Sequence, residues 1–269
     1  MQKKALLLGN TEGFGEAIAK ELIIRGWCIC AVSRNPVRHF ERISHLSKVE
    51  LVAGDVQDYK FVKNSALGCD LIIHSISYSY KKLVPYMHTA TLNLLRAAQF
   101  SGATVIFPGT TQVYGNFTEA PVSENSQKYP VNLLGRFHTR LEQTLENAVK
   151  DEQVFINKSK LDSLDGELFN PKIKVLILRF GQYFGPGVRN KTHDVIFGEG
   201  KQNKSLKVYG CLDVNQDWVY LPDVARVAID LYELREALEP FEVVNIPGYR
   251  VGSRRKFFSY IANIANNSS

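Results

Sequence analysis

Short apolar runs bounded by Gly, Asp or Ser alternate along the chain with stretches whose apolar positions recur every three or four residues. The runs "KALLLG" (4–9), "CICAVSR" (28–34), "VELVAGD" (49–55), "DLIIHSIS" (70–77), "ATVIFPG" (103–109), "IKVLILRF" (173–180) and "VVNIPG" (243–248) read as strands. They are apolar throughout instead of alternating, which is the pattern of strands covered on both faces. Between them, "GEAIAKELIIRG" (15–26), "MHTATLNLLRAAQFSG" (87–102) and "LLGRFHTRLEQTLENAVK" (133–150, with Leu141, Leu145 and Val149 on one face) read as amphipathic helices. Strand–helix–strand repetition of this kind predicts an α/β fold: a doubly wound, Rossmann-type parallel sheet with right-handed crossovers. The polar stretch at 151–172 interrupts the pattern and is expected to be a surface insertion. The pattern places a nucleotide-binding unit at 1–180 and, at 181–269, a small carboxy-terminal lobe interleaved with the last strands of the sheet.

Composition narrows the class further. With 269 residues, 45% of them hydrophobic, the chain can bury one large core. No apolar stretch approaches the roughly 20 residues of a membrane span, and the amino terminus runs into a strand without a signal-peptide pattern, so a cytoplasmic protein with no membrane partner is expected. Cys28, Cys30, Cys69 and Cys211 lack metal-ligand spacing and read as free thiols, with no metal site. The net charge of +6 is spread over every segment, and its one dense cluster, Arg250, Arg254, Arg255 and Lys256, suits a helix start or an anionic contact better than a nucleic-acid surface.

The first strand and helix are joined by "GNTEGFGE", with glycines at 9, 13 and 15. A glycine-rich turn that opens a helix presents unpaired N–H groups and the positive end of the helix dipole to a pyrophosphate. Gly9, Asn10, Thr11, Glu12, Gly13, Phe14 and Gly15 are therefore candidate dinucleotide-binding residues. An acidic residue at the end of the second strand would select NAD. Ser33 stands there, followed by Arg34, whose guanidinium can hold a 2′-phosphate, so NADP is expected ahead of NAD.

These features, with "GDVQD", "LIIHSIS", "VIFPGTTQVYG", "LRFGQYFGPG" and "DWVYLPDVARVAIDL" in this order, resemble the short-chain dehydrogenase/reductase superfamily in its extended or atypical branch, the NAD-dependent epimerase/dehydratase family. The resemblance implies that Asp55 and Val56 cap adenine and that Ser75, Ile76 and Ser77 line the cofactor. It also implies that Phe180 and Tyr183 lie along the nicotinamide, that Gln182 faces substrate, and that Thr110 is the catalytic hydroxyl, with Tyr114 following. Asp223 is expected to anchor a helix.

The catalytic Tyr-x-x-x-Lys pair of such enzymes falls on Leu134 and His138 in "VNLLGRFHTRLEQ". Leucine transfers no proton. His138 and Tyr114 are the candidate substitutes, while the strings Tyr59/Lys63 and Tyr78/Lys82 lie on other segments. Two readings follow. One is an NADP(H)-dependent oxidoreductase or isomerase acting on a small or nucleotide-linked substrate through a non-standard proton donor. The other is a non-enzymatic NADP(H)-sensing or partner-binding protein. A small-molecule substrate and a homodimer are the expected partners.

Overall fold

A computed structural model describes residues 2–9, 13–35, 47–76, 78, 80–115, 121–150, 172–188 and 211–267. Seven strands form one parallel sheet: β1 (Lys4–Gly9), β2 (Cys28–Ser33), β3 (Val49–Ala53), β4 (Leu71–Ser75), β5 (Thr104–Thr110), β6 (Val175–Phe180) and β9 (Phe241–Asn245), in the order β3-β2-β1-β4-β5-β6-β9. The order reverses between β1 and β4, and the crevice at the carboxyl ends of these strands is where such sheets bind ligands. The all-apolar strands have the environment they require. Leu6 and Leu8 pack into one core layer with the helices α3 (Tyr80–Ser101) and α4 (Leu133–Lys150), whereas Ala5 and Leu7 pack into the other with α1 (Phe14–Ile24) and α5 (Leu221–Glu233).

The remaining elements surround that crevice. Strands β7 (Gln182–Phe184), β8 (Asn215–Tyr220) and β10 (Tyr249–Ser253) form a second sheet in the order β10-β8-β7, backed by α6 (Arg254–Asn267). Buried Trp218 stacks on Phe257 with ring centroids 4.4 Å apart, giving this small sheet a core of its own. Residues 181–269 therefore supply β9 and α5 to the main layers and β7, β8 and β10 to the lobe.

Two local expectations change. Helix α3 begins at Tyr80, seven residues ahead of the apolar period at Met87, with Pro85 inside it. A short helix, α2 (Tyr59–Ser65), also occupies a segment too brief to show a period. The Asp58 side chain caps α2 by accepting from the Lys60 and Phe61 N–H groups. The insertion at 151–172 lies, except for its last residue, outside the described residues.

Candidate functional site

A cavity of about 380 Å³ opens at the carboxyl ends of β1, β4, β5 and β6. At one end it reaches the glycine turn. Gly9 has φ +113°, and a Cβ there would stand 2.6 Å from the Ile76 Cα, so the turn and the end of β4 meet at a distance only glycine permits. Gly13, at φ +59°, caps α1 without any side-chain hydrogen bond, and its N–H donates to the Gly187 carbonyl at 3.1 Å. The helix thus keeps N–H groups and its positive end turned toward the turn. Glu16 in the first turn of α1 is buried, and its carboxylate accepts from Lys20 at 2.6 Å, which offsets the negative charge near this end. Gly15 is buried in the same helix. Asn10, Thr11, Glu12 and Ser77 lie outside the described residues.

At the far edge, the buried Ser33 hydroxyl accepts the Asn35 N–H at 3.2 Å and Arg34 is exposed. Exposed Asp55 accepts the Gln57 N–H and so shapes its own turn, while Val56 is buried and its carbonyl accepts from the Asn93 amide at 3.0 Å. The Gln57 amide donates to the Tyr78 hydroxyl at 2.9 Å, and burial raises the Tyr78 phenol pKa.

The middle of the cavity brings together Ser75, Ile76, Thr110, Phe180, Gln182 and Tyr183 of the expected set. Phe14, Phe180 and Tyr183 form an aromatic run, with successive centroids 5.8 and 6.0 Å apart. The Thr110 hydroxyl accepts the Gln112 N–H at 3.2 Å, which leaves its own proton to donate. Helix α4 contributes both Leu134 and His138 to the wall. The helix can come this close because Gly135 faces the turn after β5, where a Cβ would lie 2.5 Å from the Gln112 carbonyl oxygen. Burial lowers the His138 pKa to about 4, with the Glu142 carboxylate opposing it, so the ring is neutral at pH 7.

Tyr114 requires a correction. As a substitute proton donor it was expected in the cavity, yet it does not line it. It is buried, donating to Asn245 Oδ1 at 2.9 Å and accepting from the Arg179 guanidinium at 2.5 Å. Arg179 makes two parallel bonds to Glu142, at 2.9 and 2.8 Å, and Lys128 also reaches Glu142 at 2.7 Å. This network ties β6, β9, α4 and the turn after β5 together, and the phenol both donates and accepts within it. Of the other strings, Tyr78 lines the cavity, whereas Lys82 packs over the Tyr86 ring and Tyr59/Lys63 sit on α2. Asp223, in the first turn of α5, accepts the Tyr249 hydroxyl at 3.0 Å.

Sequence reasoning passed over His74, Glu142 and Arg179. Each had a visible signal: a polar residue at an apolar register position within a buried strand or helix face.

The model of the NAD dependent epimerase/dehydratase family matches residues 5–247. The chain belongs to that family. Solved structures of similar fold include MoeE5 in complex with UDP-glucose and NAD, at 20% identity, TM-score 0.75, and coverage of 98% of this chain and 82% of that one. Another is UDP-glucuronic acid 4-epimerase from Bacillus cereus in complex with NAD, at 20% identity, TM-score 0.74, and coverage of 98% and 84%. A third is UDP-N-acetylglucosamine 4-epimerase from Bacillus cereus, at 16% identity, TM-score 0.72, and coverage of 99% and 83%. At these identities they establish the fold that this family member shares with them. No curated protein matches in sequence. Among the described residues, no helix is long and apolar enough to cross a membrane, and no group of three or more His, Cys, Asp or Glu could hold a metal ion.

Proposed function

We propose that this protein binds NADP(H) along the crevice from the glycine turn to Thr110, and acts on a small or nucleotide-linked substrate without the tyrosine acid used by ordinary members of its fold. The residues present fit a dinucleotide: Gly9 and Gly13 at positive φ, an α1 terminus that begins at Gly13, and an aromatic wall of Phe14, Phe180 and Tyr183. The nucleotide-sugar and NAD complexes of the fold neighbours support the same class of ligand. The choice of NADP rests on Ser33, which stands in the place of an acidic residue at the end of β2, and on the exposed Arg34 beside it.

The observation that carries the proposal is that Leu134 and His138, four residues apart on α4, both face a cavity continuous with the glycine turn. Bound nicotinamide supplies a hydride donor or acceptor. Thr110 orients a substrate oxygen through its free proton, Gln182 offers an amide to polar substituents, and neutral His138 supplies a hydrogen-bonding nitrogen where a lysine would supply a charge. Leu134 keeps that wall apolar.

The test is NADPH consumption across a panel of sugar nucleotides, aldehydes and ketones. Turnover with any of them supports an oxidoreductase. Tight NADPH binding with no turnover on the whole panel favours the second reading, a protein that senses the dinucleotide, for which Leu134 in the wall is the supporting observation. A cytoplasmic setting, in keeping with four free cysteines, and a homodimer belong to the same proposal; light scattering tests the latter.

A further inference from the structure

The stretch after β3 and the stretch after β4 are joined side chain to side chain at the mouth of the crevice. Gln57 Nε2 donates to the Tyr86 carbonyl at 2.9 Å and to the Tyr78 hydroxyl at 2.9 Å. Gln57 is itself held in place, because the Asn93 amide, buried on α3, donates to the carbonyls of Val56 and Gln57 at 3.0 and 2.9 Å. The Tyr78 ring packs against the Tyr86 ring, with centroids 5.9 Å apart, and Tyr78 lines the cavity.

Counting hydrogens fixes the sense of each bond. A backbone carbonyl only accepts, so the Tyr86 contact requires the nitrogen of the Gln57 amide and excludes its oxygen there. The amide NH2 has two hydrogens, and with one on Tyr86 the other goes to the Tyr78 oxygen. The phenol is therefore an acceptor toward Gln57, and its own hydrogen is left over. Burial raises its pKa, so that hydrogen stays in place at pH 7. Among the described residues nothing accepts it.

The place of the phenol in the fold says what can. In the sheet, β2 and β1 lie between β3 and β4, so the Gln57–Tyr78 bond reaches from one side of their carboxyl ends to the other. Strand β2 ends at Ser33, beside Arg34, and β1 ends at Gly9 in the glycine turn. Ile76, whose backbone meets Gly9, precedes Tyr78 by two residues, so Tyr78 is tethered within about 7 Å of chain from that contact. A dinucleotide lying from the glycine turn toward Arg34 has its adenosine half alongside this bond. None of the described residues that line the cavity is a lysine or an arginine, so a phosphate entering there is met by neutral donors.

We infer that Tyr78 binds the adenosine half of the dinucleotide, its hydroxyl donating to a phosphate oxygen there, and that Gln57 is a positioning residue which keeps that hydroxyl a donor. A phosphate oxygen is the matching acceptor because it has no hydrogen of its own to give, whereas a ribose hydroxyl pairs in either sense. This role rests on the dinucleotide-binding reading given above.

The test is calorimetric titration of the full chain with NADPH, NADH, 2′,5′-ADP and 5′-AMP, repeated with Tyr78→Phe, Gln57→Leu and the double variant. Tyr78→Phe should weaken NADPH binding about tenfold or more, the loss expected for one hydrogen bond to a charged acceptor. A loss shared by all four ligands places the acceptor on the 5′-phosphate, and a loss confined to NADPH and 2′,5′-ADP places it on the 2′-phosphate. Gln57→Leu should weaken the same ligands by a smaller factor. The double variant should bind no worse than Tyr78→Phe, because Gln57 acts through that hydroxyl alone; losses that multiply overturn its role. A folded Tyr78→Phe that binds all four ligands within about twofold of the wild type overturns the inference and leaves the cofactor reading intact. A loss with the two dinucleotides but with neither adenosine fragment overturns the assignment to that half. Should Tyr78→Phe not fold, Gln57→Leu decides, since unchanged affinity for all four ligands is then the refuting result. A wild type that binds none of the four refutes the dinucleotide reading itself, and this role with it.

Discussion

Replacing Glu142 by leucine strands the Arg179 guanidinium in a place from which it cannot reach water. The two side chains are 1% and 2% exposed and joined by paired bonds of 2.8 and 2.9 Å, so the substitution removes the carboxylate bonded to a buried cation. Breaking a buried pair from one side costs about 3–5 kcal/mol, because the surviving charge keeps its desolvation penalty without its partner. Arg179 retains hydrogen bonds to Tyr114 and the Glu124 carbonyl and the more distant charge of the Glu124 carboxylate, and Lys128, 31% exposed, can turn to solvent. In a chain of this length the loss corresponds to roughly 6–15 °C in Tm. Replacing both partners, Glu142→Leu with Arg179→Met, removes the stranded charge and should restore most of the loss, since apolar groups of similar volume often replace such a pair at little cost. Urea unfolding followed by the fluorescence of Trp27 and Trp218 measures each variant. The reasoning fails if Glu142→Leu costs less than about 1 kcal/mol, or if the double variant is as unstable as the two single losses added together.

Other consequences of the structure are as direct. Burial depresses His74 to about 3 and His138 to about 4, below the value of 6.5 for an unfolded histidine. The unfolded chain therefore takes up these protons first, and stability that is complete above about pH 6.5 is lost as pH falls toward the folded values, by about 2 kcal/mol per histidine at pH 5. Chemical unfolding at pH 5 and pH 7.5 should show this loss, and His138→Phe should remove about half of it. Gly9→Ala places a Cβ against the Ile76 backbone at φ +113° and should destabilise the fold by about 2–4 kcal/mol while abolishing dinucleotide binding, measured by thermal unfolding and titration. Arg34→Glu should weaken NADPH binding by about tenfold to a hundredfold and leave NADH within severalfold of its starting affinity, read by the same titration. Leu134→Tyr with His138→Lys puts a phenol and an ammonium on the cavity wall, and should raise turnover on at least one panel substrate above that of the wild type; no gain would place the deficit elsewhere in the pocket.

The sheet was legible because its inner strands are buried on both faces. Runs such as "ALLL" and "VLIL" have no alternation that would permit another placement, and the glycine turn can only follow the first of them. The wall of the cavity was legible for a related reason. Thr110, Gln182, Tyr183, Leu134 and His138 sit at fixed offsets from strand ends and the α4 register, so their approach to one cavity follows from topology. What was hidden depended on side-chain partnership. Tyr114 follows Thr110 closely in the chain and looked equally available. Whether its phenol faces ligand or interior is decided by Arg179, Glu142 and Asn245, which arrive from three distant elements. The extra turns at the start of α3 were masked by Pro85, which lies past the first turn, removes one i→i−4 hydrogen bond and so reads as a helix boundary. The small sheet escaped because β7 spans only three residues and pairs with a strand more than thirty positions away.

Calorimetric titration of the full chain with NADPH, and separately with NADH, tests the central claim most directly. One NADPH bound per chain, with NADH weaker by tenfold or more, is the result expected from the glycine turn, the α1 amino terminus at Gly13 and Arg34. No heat of binding from either dinucleotide at millimolar concentration would contradict it.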